Sequence, residues 1–430
     1  MSGTAASGTA SAGSTTWALL KDRNFGPYFW GNIASSLGVW GYSVAAVVVV
    51  FELTRSALFV GLVTIVQFSV PVVLAPVGGF LADRFDRRKL LVGAQGLSGV
   101  AVAVLAGAYA LAVPDGLPSP WPLIAVSFVL GLALTVTDPA RHALVPALVA
   151  PHNVGQAVAL NSLTFNVGRA VGPAVAGVLL ASAGPAAVFG VTSVAYATSV
   201  LSLWVTRPRR LEAPSGTDKG MGAGVRYVLR HRAMLAVLLG IGVAGFATDP
   251  VVTLTPLLAP ELVRDSAGML DVDSEELVVG LLASAFGAGA VLTMLVLRRA
   301  HRRFGYRPVG IAGLALLPTM LGILALSPPL LGLSCAVLSV AGVGYFLAMT
   351  SLTTLLQMSI PEHLRGRIMA LWGVCFLGSR PLAAFIDSTL AHMVSARFAL
   401  GVVALGGAVA TVLVLRATSA LVAADSVTRA

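Results

Sequence analysis

The chain has 430 residues, 57% of them hydrophobic and 11% charged, with a mean hydropathy of +0.89. A soluble domain carries about a quarter charged residues, so a water-soluble fold of this size could not hide the apolar surface, and lipid must be the main solvent. The net charge of +10 then speaks of topology and anionic lipid rather than nucleic acid.

In chain order, residues 1–16 (MSGTAASGTASAGSTT) are small and polar and read as a disordered tail, with no secretory signal pattern. Spanning the hydrocarbon takes about 20 mainly apolar residues as a helix. Twelve segments meet that test, near 30–53, 57–82, 89–113, 121–141, 156–182, 185–206, 232–259, 277–298, 307–327, 330–357, 366–393 and 395–418. The longest hydrophilic interruption, Thr206 to Arg232, falls near the middle. The expected organisation is an N-terminal tail (1–24), a six-helix bundle (25–206), a cytoplasmic linker (207–231), a second six-helix bundle (232–418) and a C-terminal tail (419–430). Cys335 and Cys375 fall inside apolar segments and read as small hydrophobes.

Basic residues set the orientation. With the N-terminus inside, loops carrying Arg84, Arg87, Arg88, Lys89, Arg141, Arg298, Arg299, Arg302 and Arg303 are all cytoplasmic. The outer side receives only Arg55, Arg264 and Arg397, and its longest loop is acidic. This bias places both termini in the cytoplasm. The halves also echo each other: Pro151 and Gly168 match Pro361 and Gly378, both at an offset of 210 residues. Transporters that rock two bundles around a midplane site carry such repeats.

Three stretches carry a resemblance. GGFLADRFDRRKLL follows segment 2 and contains Gly79, Asp83, Arg84, Arg87 and Arg88; NVGRAVGPAVAGVL in segment 5 contains Gly168, Gly172, Pro173 and Gly177. RNFGPYFWGNIASSLG, DPARHALVPALV and IPEHLRGRIMALWGVCFLGSRPL extend the match over both halves. Together they resemble the major facilitator superfamily, in the branch of drug:proton antiporters that holds macrolide-efflux proteins and enterobactin exporters. The resemblance implies the major facilitator fold, twelve helices in two pseudo-symmetric bundles. It makes the first stretch a cytoplasmic gate in which Asp83 pairs with a helix end or an arginine of the other bundle, and the second an antiporter-type helix 5 element. Asp86 stands where the family usually has glycine; aspartate tolerates a left-handed turn better than most residues. Small-residue spacing in segment 5 is also satisfied by helix packing alone.

Ionisable residues within the bilayer cost about 2.5–3.5 kcal/mol each, so each needs a partner or a role. Arg169 and Arg380 lie near mid-depth at equivalent places in the two halves. Asp387 is seven residues beyond Arg380 on the same helix face, so the two either pair structurally, find charge partners across the bundle, or serve as cavity cation and proton carrier. Asp138 and Asp249 each precede a proline 17 residues into a segment. An Asp-Pro step makes a good N-cap, the reading preferred for Asp138; for Asp249 proton coupling stands beside it. Asn32, Ser35, Trp40, Tyr42, Gln67, Tyr345, Thr350 and Gln357 are the cavity-lining candidates, each of which packing alone could also explain.

Nothing calls for a cofactor: the phosphate-loop pattern is missing and the six histidines show no metal-ligand spacing. The expected partners are a small-molecule substrate, protons and membrane lipid, with no nucleic acid, and the expected state is a monomer. The reading is proton-coupled efflux of small organic molecules across the cell membrane. Import by a symporter or facilitator is the competing reading, and a non-transporting scaffold or sensor the third.

Overall fold

The computed structural model describes residues 16–112, 119–209, 221–266, 274–361 and 364–427. Every regular element among them is helical. The spans are α1 (Phe25–Thr54), α2 (Ala57–Val73 and Ala75–Arg84, two pieces bent by 55°), α3 (Arg87–Leu111) and α4 (Trp121–Leu148). One helical stretch, Val154–Val205, holds 52 residues. At about 1.5 Å per residue it would be more than twice the hydrocarbon thickness. It breaks at Gly184 (φ 74°, ψ −178°), giving α5 (154–183) and α6 (185–205). The second half has α7 (Arg232–Thr248, carried on by Pro250–Thr253 and Thr255–Ser266), α8 (Glu275–Phe304), α9 (Tyr306–Leu326), α10 (Leu331–Ser359), α11 (Arg365–Met393) and α12 (Ala396–Val427). Twelve spans result.

Local chemistry sets the ends. Asp22 Oδ1 accepts from the backbone N–H of Asn24 and Phe25, both at 2.8 Å, and so opens α1. Ser274 caps α8 through the Leu277 N–H at 3.3 Å; Glu275 and Glu276 fill its first turn and His301, Arg302 and Arg303 its last, as the helix dipole favours. Large apolar side chains point outward along the spans, among them Val104 and Leu111 on α3 and Leu292 and Leu295 on α8. In water that belt would be a liability; in lipid it is the solvent-facing surface.

Within the first half α1 packs on the α5–α6 stretch, and α3 on that stretch and on α4; within the second, α9 and α8 pack on α10, and α11 and α12 on α7. Two seams join the halves, α2 with α11 and α8 with the α5–α6 stretch. At the first, a Cβ on Gly61 would collide with Ser388 and reach 3.0 Å from the Ala384 carbonyl. At the second, a Cβ on Gly177 would lie 2.5 Å from the Gly280 Cα. All these residues sit in the halves of their helices remote from the chain termini, so the bundles are pinched together at that far face.

Several expectations change. Asp86 is not left-handed (φ −59°): it is the N-cap of α3 and accepts the Lys89 N–H at 3.0 Å, which glycine could not do. Asp138 does not begin a helix, because α4 runs unbroken from Trp121 to Leu148 with Pro139 and Pro146 inside it. Neighbouring spans and lipid keep such a helix formed where water would break it. Asp249 is helical and its side chain makes no cap hydrogen bond. The linker contains a helix, Met221–Arg230, and α12 continues past residue 418 to Val427. A short helix, Thr16–Leu20, lies in the expected N-terminal tail, whose residues 1–15 are outside the described residues.

Candidate functional site

Between the pinched far face and the face bearing the termini lies a cavity. Its walls are mainly first-half residues: Ser35, Ser36 and Trp40 from α1, Phe68 and Pro71 from α2, Gln95 and Ser98 from α3. Thr137, Asp138 and Arg141 come from α4, Phe165 from α5 and Tyr196 from α6, while Phe376, Leu377 and Arg380 of α11 close it from the other half. The cavity is aromatic and cationic, with one carboxylate.

Beside it two buried guanidiniums share one indole, Arg380 in the cavity wall and Arg169 behind it. Arg169, 8% exposed, lies 5.0 Å from the centre of the Trp40 ring and donates to the Tyr345 hydroxyl at 2.7 Å. Arg380, 4% exposed, lies 5.3 Å from the same ring and 3.9 Å from that of Phe68. Aromatic faces stabilise desolvated cations by up to about 2 kcal/mol each, which makes rings a substitute for water here. The carboxylate partner of Arg380 is Asp249 of α7, Nε to Oδ1 at 3.3 Å, and not Asp387. Residues 380 and 387 stand about 10 Å apart along one helix axis, whereas Asp249 faces Arg380 across a helix contact. Asp387 is fully buried; its Oδ2 is 3.5 Å from the Thr253 hydroxyl and its Oδ1 has no partner. Asp249 Oδ2 is also unpartnered.

This chain shares its lengthwise pattern with known proteins. A family model described as transmembrane secretion effector matches residues 14–430. The chain belongs to that family, within the major facilitator superfamily. The enterobactin exporter EntS of Salmonella choleraesuis is 31% identical over 351 residues, 78% of each chain. EntS of Escherichia coli O9:H4 is 32% identical over 352 residues, 78% of this chain and 77% of its own. Among solved structures, a bacterial homologue of the lysosomal transporter Spinster superposes with a TM-score of 0.71 at 15% identity, covering 93% of this chain and 98% of its own. The nucleoside transporter NupG gives 0.70 at 12% identity, covering 92% and 99%. The structural likenesses carry the fold, and the chain is a multi-pass membrane protein and not an enzyme.

Other expected site residues of this secretion effector separate into groups. Of the lining candidates, Trp40 and Ser35 border the main cavity. Asn32 instead donates to Asn161 at 3.1 Å and Thr164 at 2.6 Å, bordering a smaller side pocket. Gln67 is buried and accepts from Ser43 at 3.3 Å; Tyr42 donates to the Leu123 carbonyl at 2.9 Å; Tyr345 serves Arg169. Thr350 accepts from Thr354 in its own helix, and Gln357 is exposed near the end of α10. Gly168 and Gly172 let α5 press onto α1: a Cβ on Gly168 would meet Ser36 backbone at 2.7 Å and one on Gly172 the Leu37 carbonyl at 2.9 Å. Pro173 lies between these contacts and Gly177, which makes the second seam. Of the gate stretch, Arg87 donates to the Ala143 carbonyl at 3.3 Å, and Arg88 to Leu203 at 2.6 Å and to Trp204. Arg84 lies over Phe80 at 5.7 Å, and a Cβ on Gly79 would meet nothing. Arg87 and Arg88 hold α3 to its own half; the Asp83 side chain lies outside the described residues. Cys335 and Cys375 are free and half-buried.

Sequence reasoning missed Arg141, counted as a loop charge, and Gln95, Ser98 and Thr137. Each is polar within an apolar span, a signal present in the sequence and not used.

Proposed function

We propose that this chain is a secondary transporter that exports small organic molecules by alternating access and is driven by proton antiport. The observation that carries it is the cavity between two bundles joined at the far-face seams, with Arg380 in its wall belonging to a buried charge cluster that bridges both halves. Family membership and the EntS likeness support efflux. Two rocking units, 25–206 and 232–418, joined through 207–231, fit the seams. The positive-inside bias supports cytoplasmic termini in the cell (inner) membrane. The cavity then faces the cytoplasm.

Asp387, buried with one oxygen bare, is the place to take a proton from the outer side, and Thr253 links it to Asp249, whose carbonyl the same hydroxyl meets at 3.1 Å. Protonation alters the charge facing Arg380 and Arg169, and linkage then makes substrate and proton affinities mutually dependent. The test is accumulation of a compound panel in an efflux-deficient host expressing the protein, with and without a protonophore. Lower accumulation abolished by the protonophore supports proton-driven export. Raised accumulation overturns it in favour of import, and lowered accumulation indifferent to the protonophore refutes the proton drive.

A further inference from the structure

Beside the main cavity lies a small recess, walled entirely by the first half: Tyr28 and Asn32 of α1, Gln95 of α3, Arg141 of α4, and Ser199 and Ser202 of α6, with Leu91 and Leu203 as its apolar members. Arg141 and Gln95 border both spaces, so the pocket is a recess of the cavity rather than a separate void.

Tyr28, Asn32 and Ser202 donate to protein acceptors, whereas Arg141 and Gln95 show no partner among the described residues. Arg380 has Asp249 and its rings, and Arg169 has Tyr345 and its rings. Arg141 has neither: among the described residues no carboxylate reaches ion-pair distance of it, and no acceptor or ring is in contact with its guanidinium. Asp138, one turn earlier on α4, lines the main cavity but does not close on Arg141. Gln95 is 4% exposed and its amide has no partner among the described residues. Asn32 is 3% exposed; its amide donates to α5 and its Oδ1 is bare. A half-buried guanidinium and a buried carboxamide thus face one recess, and for the buried amide an unmet donor is costly. Alongside, Trp40, Phe68, Phe165, Tyr196 and Phe376 supply flat apolar faces in the main cavity.

We propose that this recess is an anion subsite: Arg141 and Gln95 bind a compact anionic oxygen group, a carboxylate or phenolate, on a substrate whose aromatic body lies in the main cavity. The assignment rests on the export reading only in calling the ligand a substrate. Arg141 belongs to one half alone, so the anionic group is held by the first bundle while the charge cluster shared with α7 and α11 stays free for the coupling ion. A planar guanidinium meets a carboxylate through two parallel N–H donors, which lysine cannot reproduce.

The test is direct binding to the purified full-length protein, followed by tryptophan fluorescence, with two probes of equal shape: 1-naphthoate and 1-naphthamide. Hydrogen bonds to charged groups contribute enough that the acid should bind about 10- to 100-fold more tightly than the amide. Arg141→Gln should abolish that preference while leaving amide affinity within about twofold, and Arg141→Lys should restore only part of it. Thr319→Ala, on the exposed face of α9 and away from both spaces, should leave the preference intact. No binding of the acid to the wild type, equal affinities for the two probes, or a preference that survives Arg141→Gln would each overturn the subsite. Binding needs no gradient, so this failure is distinct from failure of the protonophore experiment.

Discussion

The contact between Gly177 and Gly280 sets up a direct test of alternating access. An added methyl on Gly177 would sit 2.5 Å from the Gly280 Cα, and one on Gly280 would sit 2.7 Å from the Gly177 Cα. Carbon atoms rest about 3.5–4.0 Å apart, so α5 and α8 must separate by roughly 1 Å or more to admit it. Overpacking of this kind costs about 1–3 kcal/mol, and here the cost falls only on the state in which the far face is shut. Gly177→Ala should therefore move the conformational equilibrium toward far-face opening by about 5- to 150-fold. Ser284 lies one turn inward of Gly280 and bonds its carbonyl, so S284C reports on that seam; L134C reports on the cavity side. With Cys335 and Cys375 replaced, Gly177→Ala should speed maleimide labelling at S284C and slow it at L134C. Unchanged labelling at S284C, or faster labelling at both positions, would refute the argument that this glycine pair holds the far face closed.

Other outcomes follow from buried charge and capping. Asp249→Asn leaves Arg380 buried without its carboxylate and should cost about 3–5 kcal/mol; thermal unfolding should show a large loss that Asp249→Asn/Arg380→Gln recovers in part. Asp387→Asn keeps an acceptor for Thr253, so the protein should fold normally yet lose protonophore-sensitive export; retained sensitivity would exclude Asp387 as the carrier. Asp86→Ala removes the α3 cap and should cost about 0.5–2 kcal/mol, with Asp86→Asn nearly silent in the same melt.

The spans were legible because lipid imposes a length and an apolar content that composition alone reveals, and because loop arginines record orientation. Gly168, Gly172 and Gly177 announced close packing, and the mid-depth charges announced a site. Lateral relations were not legible. Arg380 and Asp387 share a face on one helix, yet about two turns of rise keep them apart, while Asp249, distant in sequence, meets Arg380 across a contact that no periodicity encodes. Asp138-Pro139 looked like a helix start because capping rules are learned in water; inside a bundle the helix runs through. Arg141 was assigned to a loop by counting residues, and an error of one or two turns was enough to move it out of the cavity.

Gly184 bears on how the protein is made. Its combination of φ 74° and ψ −178° is open to glycine and to almost nothing else, so one α-carbon carries the whole reversal between two crossings. No polar loop marks where the fifth crossing stops. An insertion machinery reading hydrophobicity would meet a single apolar stretch from Val154 to Val205, and it must deliver that stretch to the bilayer as a hairpin. A bulkier residue at 184 would therefore threaten more than local geometry: if the reversal failed during synthesis, every later crossing would enter with the opposite orientation.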